Sequence, residues 1–456
     1  MKIFNTLSGK KENFVPIEDN KIKMYVCGMT VYDDTHIGHA RTFLSFDLIV
    51  RYLRSINYEV NYIRNITDVD DKIISRAEEL RMTPKELTEK YIDSMNDDFQ
   101  SLGMIEPDSE PRATDNIDSI ISLIEILIQK GHAYEGDSDV YFSAKSFNSY
   151  GKLSRRNLED MLAGARVDID TDKKNPADFV LWKKNTDGMK WDSPWGEGRP
   201  GWHIECSAMS MDALGETFDI HGGGSDLKFP HHENEIAQSE CVTGKEFAKL
   251  WMHTGSLRID QEKMSKSLKN FVTIKAALEK HSAEVLRLFL ISSHYRSPLN
   301  YSEGALEEAK NSLDRLYNSL QDLIYEPKEY IQTEYSDKFH KAMQDDFNTP
   351  SALSVLFEMA RQINTLKKEN NFEESSALAK ELVTLSGILG LLQDNPVNHF
   401  TQGIDISEEE IESYIVKRNQ ARDQKDFDLS DKIRDELLEK GIILEDKESG
   451  TTWKKS

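Results

Sequence analysis

The stretch Lys23-Met24-Tyr25-Val26-Cys27-Gly28-Met29-Thr30-Val31-Tyr32-Asp33-Asp34-Thr35-His36-Ile37-Gly38-His39 carries the reading of the fold. Lys23 to Cys27 reads as a short strand, the polar residues after it as a turn, and the residues from about Gly38 to Leu53 as a long helix. Glu59-Val60-Asn61-Tyr62-Ile63-Arg64 reads as a second strand, and a third apolar run, Phe218-Asp219-Ile220, ends in Gly222-Gly223-Gly224. Strand, crossover helix, strand predicts a parallel sheet with helices on its faces. In such an open sheet, ligands bind in the loops that leave the carboxyl ends of the strands. A helix N-terminus placed there offers unpaired N–H groups and a positive dipole end to phosphate. His36 and His39, three apart, share one side of the first helical turn, and Gly38 leaves the backbone approachable. A histidine pair that only caps the helix is the competing reading.

Outward from that segment the pattern changes twice. Between about Ile117 and Gly201, short strands such as Val140-Tyr141-Phe142 and Phe179-Val180-Leu181-Trp182 lie among polar loops, which reads as an insertion splitting the parallel-sheet domain. After Tyr301 the apolar residues repeat at three and four: Leu306, Ala309, Leu313, Leu316, Leu320, Leu323; Ala352, Val355, Met359, Ile363, Leu366; Leu378, Leu382, Leu385, Leu389, Leu392. Such stripes predict an antiparallel helical bundle. Asp394-Asn395-Pro396 is read as its end, and Ser407 with Glu410 as the capping box that opens a small last domain.

The chain has 456 residues, roughly three domains at about 150 residues each. It is 38% hydrophobic and 30% charged, with a mean hydropathy of -0.58. No apolar run approaches the ~18 residues that span a bilayer, so no membrane is expected. The N-terminal residues carry no signal-peptide pattern. Three cysteines, Cys27, Cys206 and Cys241, exclude a disulfide framework and point to a reducing compartment, read as the cytoplasm. The net charge of -23 argues against a non-specific nucleic-acid binder and leaves room for selective contact through local basic patches.

Two further groups carry chemistry. Lys263-Met264-Ser265-Lys266-Ser267 is a doubly cationic loop; by itself it is a solvated turn or a phosphate clamp, since lysine is a point-charge phosphate ligand. Cys27, Cys206, His231 and Glu235 are donor types that suit zinc, with His231 and Glu235 four apart on one face if that stretch is helical. Spacing alone leaves two readings of this set: a metal site, or buried thiols beside a structural histidine turn. His203, His232 and Cys241 are read as structural.

Taken together, His36-Ile37-Gly38-His39 and Lys263-Met264-Ser265-Lys266-Ser267 resemble the paired signatures of the class I aminoacyl-tRNA synthetases. Tyr25-Val26-Cys27-Gly28, Gly198-Arg199-Pro200-Gly201-Trp202-His203-Ile204-Glu205-Cys206, His221-Gly222-Gly223-Gly224-Ser225-Asp226 and Phe229-Pro230-His231-His232-Glu233-Asn234-Glu235 resemble the cysteinyl-tRNA synthetase family. The resemblance implies an α/β fold with a Rossmann-type parallel sheet. It implies a catalytic domain over 1–116 and 201–260, a connective insertion over 117–200, a signature loop and stem-contact region over 261–301, a helical bundle over 302–395 and an anticodon-binding domain over 396–456. The implied activity joins L-cysteine to tRNA-Cys at the expense of ATP.

Residue by residue, the resemblance implies His36, His39, Lys263 and Lys266 as catalytic. It implies Thr30, His36, Gly38, His39, Gly224, Asp226 and Lys266 as ATP-binding, and Gly28, Trp202 and His221 as the walls of a cysteine pocket. Cys27, Cys206, His231 and Glu235 are implied as ligands of one zinc ion per chain, with Mg2+ accompanying ATP. Cysteine and serine differ by one atom, and a pocket that reads shape alone discriminates by only about 1–3 kcal/mol at that level. A zinc ion reads softness instead, so no editing site is expected. Arg422, Phe427, Asp431 and Asp446 match anticodon-reading positions, with Phe427 standing where a tryptophan can occur. A monomer is expected. The related ligase that joins cysteine to an amino-sugar inositol is the runner-up, and the tail from Ser407 to Ser456 argues against it.

Overall fold

The structure is a computed structural model that describes residues 1–156, 172–184, 188–259, 262–263, 271–325, 332–401, 408–447 and 450–455. It opens on an antiparallel hairpin of β1 (Lys2–Asn5) and β2 (Lys10–Asn13). Then comes the predicted unit: β3 (Lys21–Val26), α1 (Ile37–Ser55) and β4 (Glu59–Arg64), with β3 and β4 parallel from Lys21 opposite Glu59 to Val26 opposite Arg64. Two helices follow, α2 (Asp71–Leu80) and α3 (Pro84–Ser101). Thr83 and Glu86 form a capping box at the start of α3, and Pro84 takes the first helical position, where its missing N–H costs nothing.

The insertion begins with α4 (Ile117–Gln129) and builds a separate antiparallel sheet, β5 (Ala133–Glu135), β6 (Asp139–Phe142), β7 (Phe179–Lys184) and β8 (Gly198–Pro200), in sequential order. The chain returns through α5 (Trp202–Leu214) to β9 (Phe218–Gly224), α6 (Glu233–Thr243) and β10 (Ala248–Thr254). The parallel sheet runs in the order β10-β9-β3-β4. Every residue of β9 is buried, as expected for a strand covered on both faces. Gly222, Gly223 and Gly224, read from sequence as the end of the apolar run, lie inside this strand. The reason is steric: a Cβ on Gly222 would stand 2.4 Å from the ring of Phe46 on α1, so the helix can press on the sheet only over glycine.

Beyond the sheet, β11 (Leu257–Ile259) pairs antiparallel with β12 (Glu262–Lys263) and parallel with β13 (Leu299–Tyr301). Between them lie α7 (Ile274–Leu278) and α8 (Ala283–Ile291), the latter apolar but for Glu284 and Arg287 and buried from Val285 to Ile291. A run of helices follows: α9 (Glu303–Leu320), α10 (Glu334–Met343), α11 (Thr349–Lys368), α12 (Phe372–Ile388) and α13 (Pro396–Thr401). The predicted stripe residues Leu306, Leu313, Leu316, Ala352, Met359, Ile363, Leu382 and Leu385 are all buried. Pro396, read as a stop, opens α13 instead, at the one helical position proline favours. The C-terminal segment packs α14 (Glu408–Asp423), α15 (Phe427–Glu439) and the hairpin β14 (Ile442–Lys447) and β15 (Gly450–Lys455) around Ile411, Ile415, Ile433, Leu437, Ile442 and Leu444. Ser407 lies outside the described residues.

The chain groups into two compact units, one of Met1–Asn311, Gln332–Leu356 and Ile388–Leu391, the other of Ser312–Ile331, Phe357–Gly387 and Leu392–Ser456. Among the described residues no helix is long and apolar enough to cross a membrane.

Inside the first unit, Arg287 on α8 is 2% exposed and pairs with the equally buried Asp47 on α1. It also donates to the carbonyls of Leu389 at 2.7 Å and of Leu102 and Gly103 at 3.3 Å. Replacing one member of such a pair strands the other charge. Arg287→Leu is therefore expected to destabilise the first unit by about 3–5 kcal/mol, read as a lower midpoint of the first unfolding transition.

Candidate active site and metal centre

Strands β3 and β9 are neighbours, yet the chain leaves them in opposite directions across the sheet, toward β4 and toward β10. Their carboxyl ends therefore open a crevice at the point where strand order reverses. Cys27 stands directly past β3, and its N–H donates to the Gly222 carbonyl of β9 at 3.0 Å. The Gly28 N–H donates to Asn65 Oδ1 at 2.8 Å, and a Cβ on Gly28 would lie 1.7 Å from the Asn65 carbonyl oxygen, so no other residue fits there. Thr30 pairs with Thr67 beyond β4, which ties the loop to the sheet. Asn65 has no signal in the sequence analysis.

The loop ends on α1, whose N-cap is His36. The His39 N–H donates to His36 Nδ1 at 3.2 Å and the His36 N–H donates to His39 Nδ1 at 3.4 Å, a reciprocal cap made by two imidazoles. Their rings stack, with centroids 3.6 Å apart. The capping reading and the phosphate reading thus use different atoms. A ring whose Nδ1 accepts carries its proton on Nε2, and an Nε2–H is a donor suited to a phosphate oxygen. Gly38 sits between them in the first turn.

The start of α1 is also held by the chain beyond β12. The Ile37 N–H donates to the Val272 carbonyl and the Ile274 N–H to the Thr35 carbonyl, both at 3.0 Å. Of the cationic loop, Lys263 is described by its backbone, opposite Arg258 of β11. Met264, Ser265, Lys266 and Ser267 lie outside the described residues.

On the β9 side the donor atoms of Cys27, Cys206, His231 and Glu235 all lie within 4.8 Å of one another, and all four residues are buried. Cys206 comes from α5, whose first residue is Trp202. Helix α6 starts only at Glu233, so Glu235 is in its first turn and His231 in the distorted turn Lys228–His232 before it. The expected i, i+4 pairing nevertheless forms, because His232 and Glu233 hold helical dihedrals. His231 Nε2 stands 3.1 Å from Glu235 Oε1, and Cys27 Sγ 3.5 Å from the same oxygen. Burial pushes the Cys27 thiol well up, helped by the neighbouring Cys206 and Glu235, and pushes His231 down to about 3. Two thiols, a carboxylate and a neutral imidazole bring no positive charge of their own into this dry site. A thiophilic divalent cation supplies it and satisfies all four donors, so the residues fit such a metal.

Cys27 and Glu235 also lie within 4.8 Å of His221 and His232, a second conceivable set. In it, however, His221 Nε2 is already bonded to Glu235 Oε2 at 2.7 Å and His232 Nδ1 to His253 Nε2 at 2.9 Å. The first set also offers two soft sulfurs, which favours it for zinc-like ions. His221 is fully buried and stacks on Trp251, with ring centroids 4.4 Å apart. Trp202 is 37% exposed and stacks on His231 at 4.3 Å, so one indole face borders the metal ligand while the residue still meets solvent. Gly224 ends β9, and a Cβ there would stand 2.4 Å from the exposed Asp226 carboxylate. Cys241 belongs to a hydrophobic cluster away from the four donors, and burial pushes its thiol up to about 12.

In the second unit, Arg422 and Asp446 are in contact: Arg422 Nη1 donates to Asp446 Oδ2 at 3.0 Å. Asp446 is more strongly engaged by Arg418, a buried residue missed in the sequence, which donates to both its oxygens at 2.9 and 2.8 Å. Arg418 reads in sequence as one more charge on a helix face. Its partnership with Asp446 holds that carboxyl far below its usual range. Phe427 is 61% exposed, at the start of α15, and Asp431 is exposed on the same helix.

Against known proteins, residues 13–311 match the family described as "tRNA synthetases class I (C) catalytic domain", and residues 338–393 match the "DALR domain". Among curated proteins, the chain is 54% identical over 467 residues to the cysteine–tRNA ligase of Hahella chejuensis, covering 100% of both chains. It is 54% identical over 458 residues to that of Haemophilus influenzae, again covering 100% of both. Among solved structures, it shares its fold with a methionyl-tRNA synthetase of Mycobacterium tuberculosis bound to methionyl-adenylate, at a TM-score of 0.60 and 15% identity, over 81% of this chain and 89% of that one. A putative arginyl-tRNA synthetase of Campylobacter jejuni gives 0.55 and 12%, over 82% and 94%.

The double role of the histidine pair can be separated. His36→Ala removes the acceptor of the cap and is expected to cost about 1 kcal/mol of stability, whereas His36→Asn keeps an acceptor and should lose far less. Equal losses in thermal or denaturant unfolding would show that the cap does not act through Nδ1.

Proposed function

The chain belongs to the cysteine–tRNA ligase family of class I tRNA synthetases, and from that premise we propose that it activates L-cysteine with ATP and charges tRNA-Cys, with zinc selecting the thiol. The observation that carries this reading is the shared crevice: the capped N-terminus of α1 and the Cys27, Cys206, His231, Glu235 cluster both stand at the carboxyl ends of β3 and β9.

In the first step a carboxylate oxygen of cysteine attacks the α-phosphorus of ATP, and pyrophosphate leaves with the bond electrons. The carboxylate is already a nucleophile, so no general base is required of the protein. Its task is to position ATP and stabilise charge on the phosphates. We assign that task to the Nε2–H groups of His36 and His39, to the approachable backbone at Thr30 and Gly38, and to Lys263 and Lys266, with Mg2+ accompanying ATP. Gly224 and Asp226, at the end of β9, border the nucleotide on the other side. In the second step a hydroxyl of the 3′-terminal adenosine of tRNA attacks the cysteinyl carbonyl, and AMP leaves.

Cys27, Cys206, His231 and Glu235 would hold the zinc ion. When bound, zinc would supply a Lewis acid that favours the soft sulfur of the substrate. Gly28, Trp202 and His221 shape the space around the substrate. Serine, with a hard hydroxyl, is rejected by chemistry and not by size, and no separate editing site is then needed.

We assign residues 396–456 to anticodon binding. An exposed Phe427 offers a stacking face for an unpaired base. Arg422 and Asp431 offer base-edge hydrogen bonds, while Asp446, clasped by Arg418, would act chiefly by holding Arg422 in place. Three free, buried cysteines suit a reducing compartment, and we place the activity in the cytoplasm.

The test is ATP–pyrophosphate exchange against the twenty amino acids, run with elemental analysis of protein purified without added metal. Cysteine alone is expected to support exchange, with one zinc ion per chain that a Cys206→Ala protein lacks. Exchange with another amino acid would overturn the substrate, and full zinc in the Cys206→Ala protein would overturn the ligand set.

The cationic loop has its own signature. If the Lys266 charge follows the triphosphate into the transition state, Lys266→Ala slows adenylate formation about 10²–10³-fold, the loss typical of one preorganised electrostatic contact. Cysteine KM should barely move. A raised KM at an unchanged rate would assign the loop to substrate binding.

A further inference from the structure

His203, read from sequence as structural, makes one contact that a structural role does not need. It is the second residue of α5, between the exposed Trp202 and the inner residues of that helix. Its Nδ1 stands 2.9 Å from Nδ1 of His231. Two ring nitrogens at that distance repel if both present lone pairs and clash if both carry protons, so a single proton lies between them.

Which ring carries it follows from the other edge of His231. His231 Nε2 faces the cluster, 3.1 Å from Glu235 Oε1. To offer that nitrogen's lone pair to a metal, the neutral ring must bear its proton on Nδ1. The group at hydrogen-bond distance from that Nδ1–H is His203 Nδ1, which must then be the acceptor, with the proton of His203 on its own Nε2. We propose that His203 is a positioning residue for metal binding: it fixes the tautomer and the ring orientation of His231 so that Nε2 points into the Cys27, Cys206 and Glu235 donors. The proposal rests on the metal reading of that cluster.

The surroundings keep His203 where this requires. The ring of Phe179, on β7 of the inserted sheet, meets it edge to face at 5.7 Å and 85°, and Trp202 packs at 5.1 Å. The two imidazoles tilt toward each other, with ring centroids 5.1 Å apart and planes at 48°, which keeps the two Nδ1 atoms facing. Metal-bound imidazoles usually rest their second nitrogen on a carboxylate, a carbonyl or water. Here a second imidazole takes that place, an acceptor that brings no negative charge beside the carboxylate of Glu235.

The experiment compares zinc affinity, by competition with a chromophoric chelator, in the full-length parent protein and two variants. His203→Phe fills the space without an acceptor and is expected to weaken zinc binding about 10–100-fold, the usual effect of losing the group behind a metal-bound histidine. His203→Asn presents Oδ1 where the ring presents Nδ1, and should stay within about threefold of the parent because it retains the acceptor. Equal affinities in all three proteins, or equal losses in both variants, would overturn the proposal. A second readout needs no substitution: long-range ¹H–¹⁵N spectra of the histidine-labelled, zinc-loaded parent should show the proton of His231 on Nδ1 and that of His203 on Nε2. The reverse assignment overturns the role of His203 even if the variants do not fold. A parent protein that holds no zinc would overturn the metal reading itself, a result distinct from a zinc-bound parent indifferent to His203.

Discussion

The crevice depends on one backbone hydrogen bond at its floor, from the Cys27 N–H to the carbonyl of Gly222. It continues the parallel pairing of β3 with β9 one residue past the end of β3. Residues distant in sequence thereby become neighbours: Cys27 and the start of α1 on one side, His221 to Asp226 on the other. The pairing is possible at that closeness because α1 descends on glycine, with Phe46 against Gly222. A larger residue at Gly222 would lift the helix, and with it the His36 cap, away from the strand end that carries Cys27. Helix position and donor position are thus set by the same contact.

Electrostatics then divides the crevice. On the β9 side, desolvation governs: it raises the Cys27 thiol and lowers His231, His232 and His253, so that these groups bring no positive charge of their own. On the α1 side the backbone N–H groups and the helix dipole favour anions. The soft donors can take up a cation and the helix end an anion, so the two sides of the crevice accept opposite charges. The chain as a whole carries -23 charges, so attraction of a polyanion must come from such local fields and not from the surface at large.

Much of this was legible in sequence, for definable reasons. β3, β4 and β9 show as short apolar runs bounded by turns, and the bundle shows as leucine stripes at helical spacing. β10, Ala248-Lys249-Leu250-Trp251-Met252-His253-Thr254, gives no strand signal, since it is buried apart from Lys249 and a buried parallel strand has little alternation to read. The glycines of β9 look like a loop until Phe46 is seen against them. The four scattered donors were read as a set through family resemblance, because spacing relates only His231 to Glu235. His203, Asn65 and Arg418 carry no signal of their roles in the sequence, because their meaning is a tertiary contact. Nothing in the residues around His203 marks it as facing His231, and Arg418 reads as a charge on a helix until Asp446 is seen to clasp it.

The side chains of the crevice are used twice, at opposite ends of the same ring or carboxylate. His36 and His39 spend Nδ1 on closing the helix, and an accepting Nδ1 places the ring proton on Nε2. Glu235 gives one oxygen to the Cys27 and His231 side and the other to His221. His231 turns Nε2 to the donors and Nδ1 to His203. In each case the bond at one edge sets how the other edge of the same group is oriented. A substitution that deletes the whole side chain therefore removes folding and function together and cannot apportion them. Isosteres that keep one edge and lose the other can, because the two edges answer to different neighbours. The same logic applies to each of these four side chains: a partner at one edge orients the other edge before any ligand arrives.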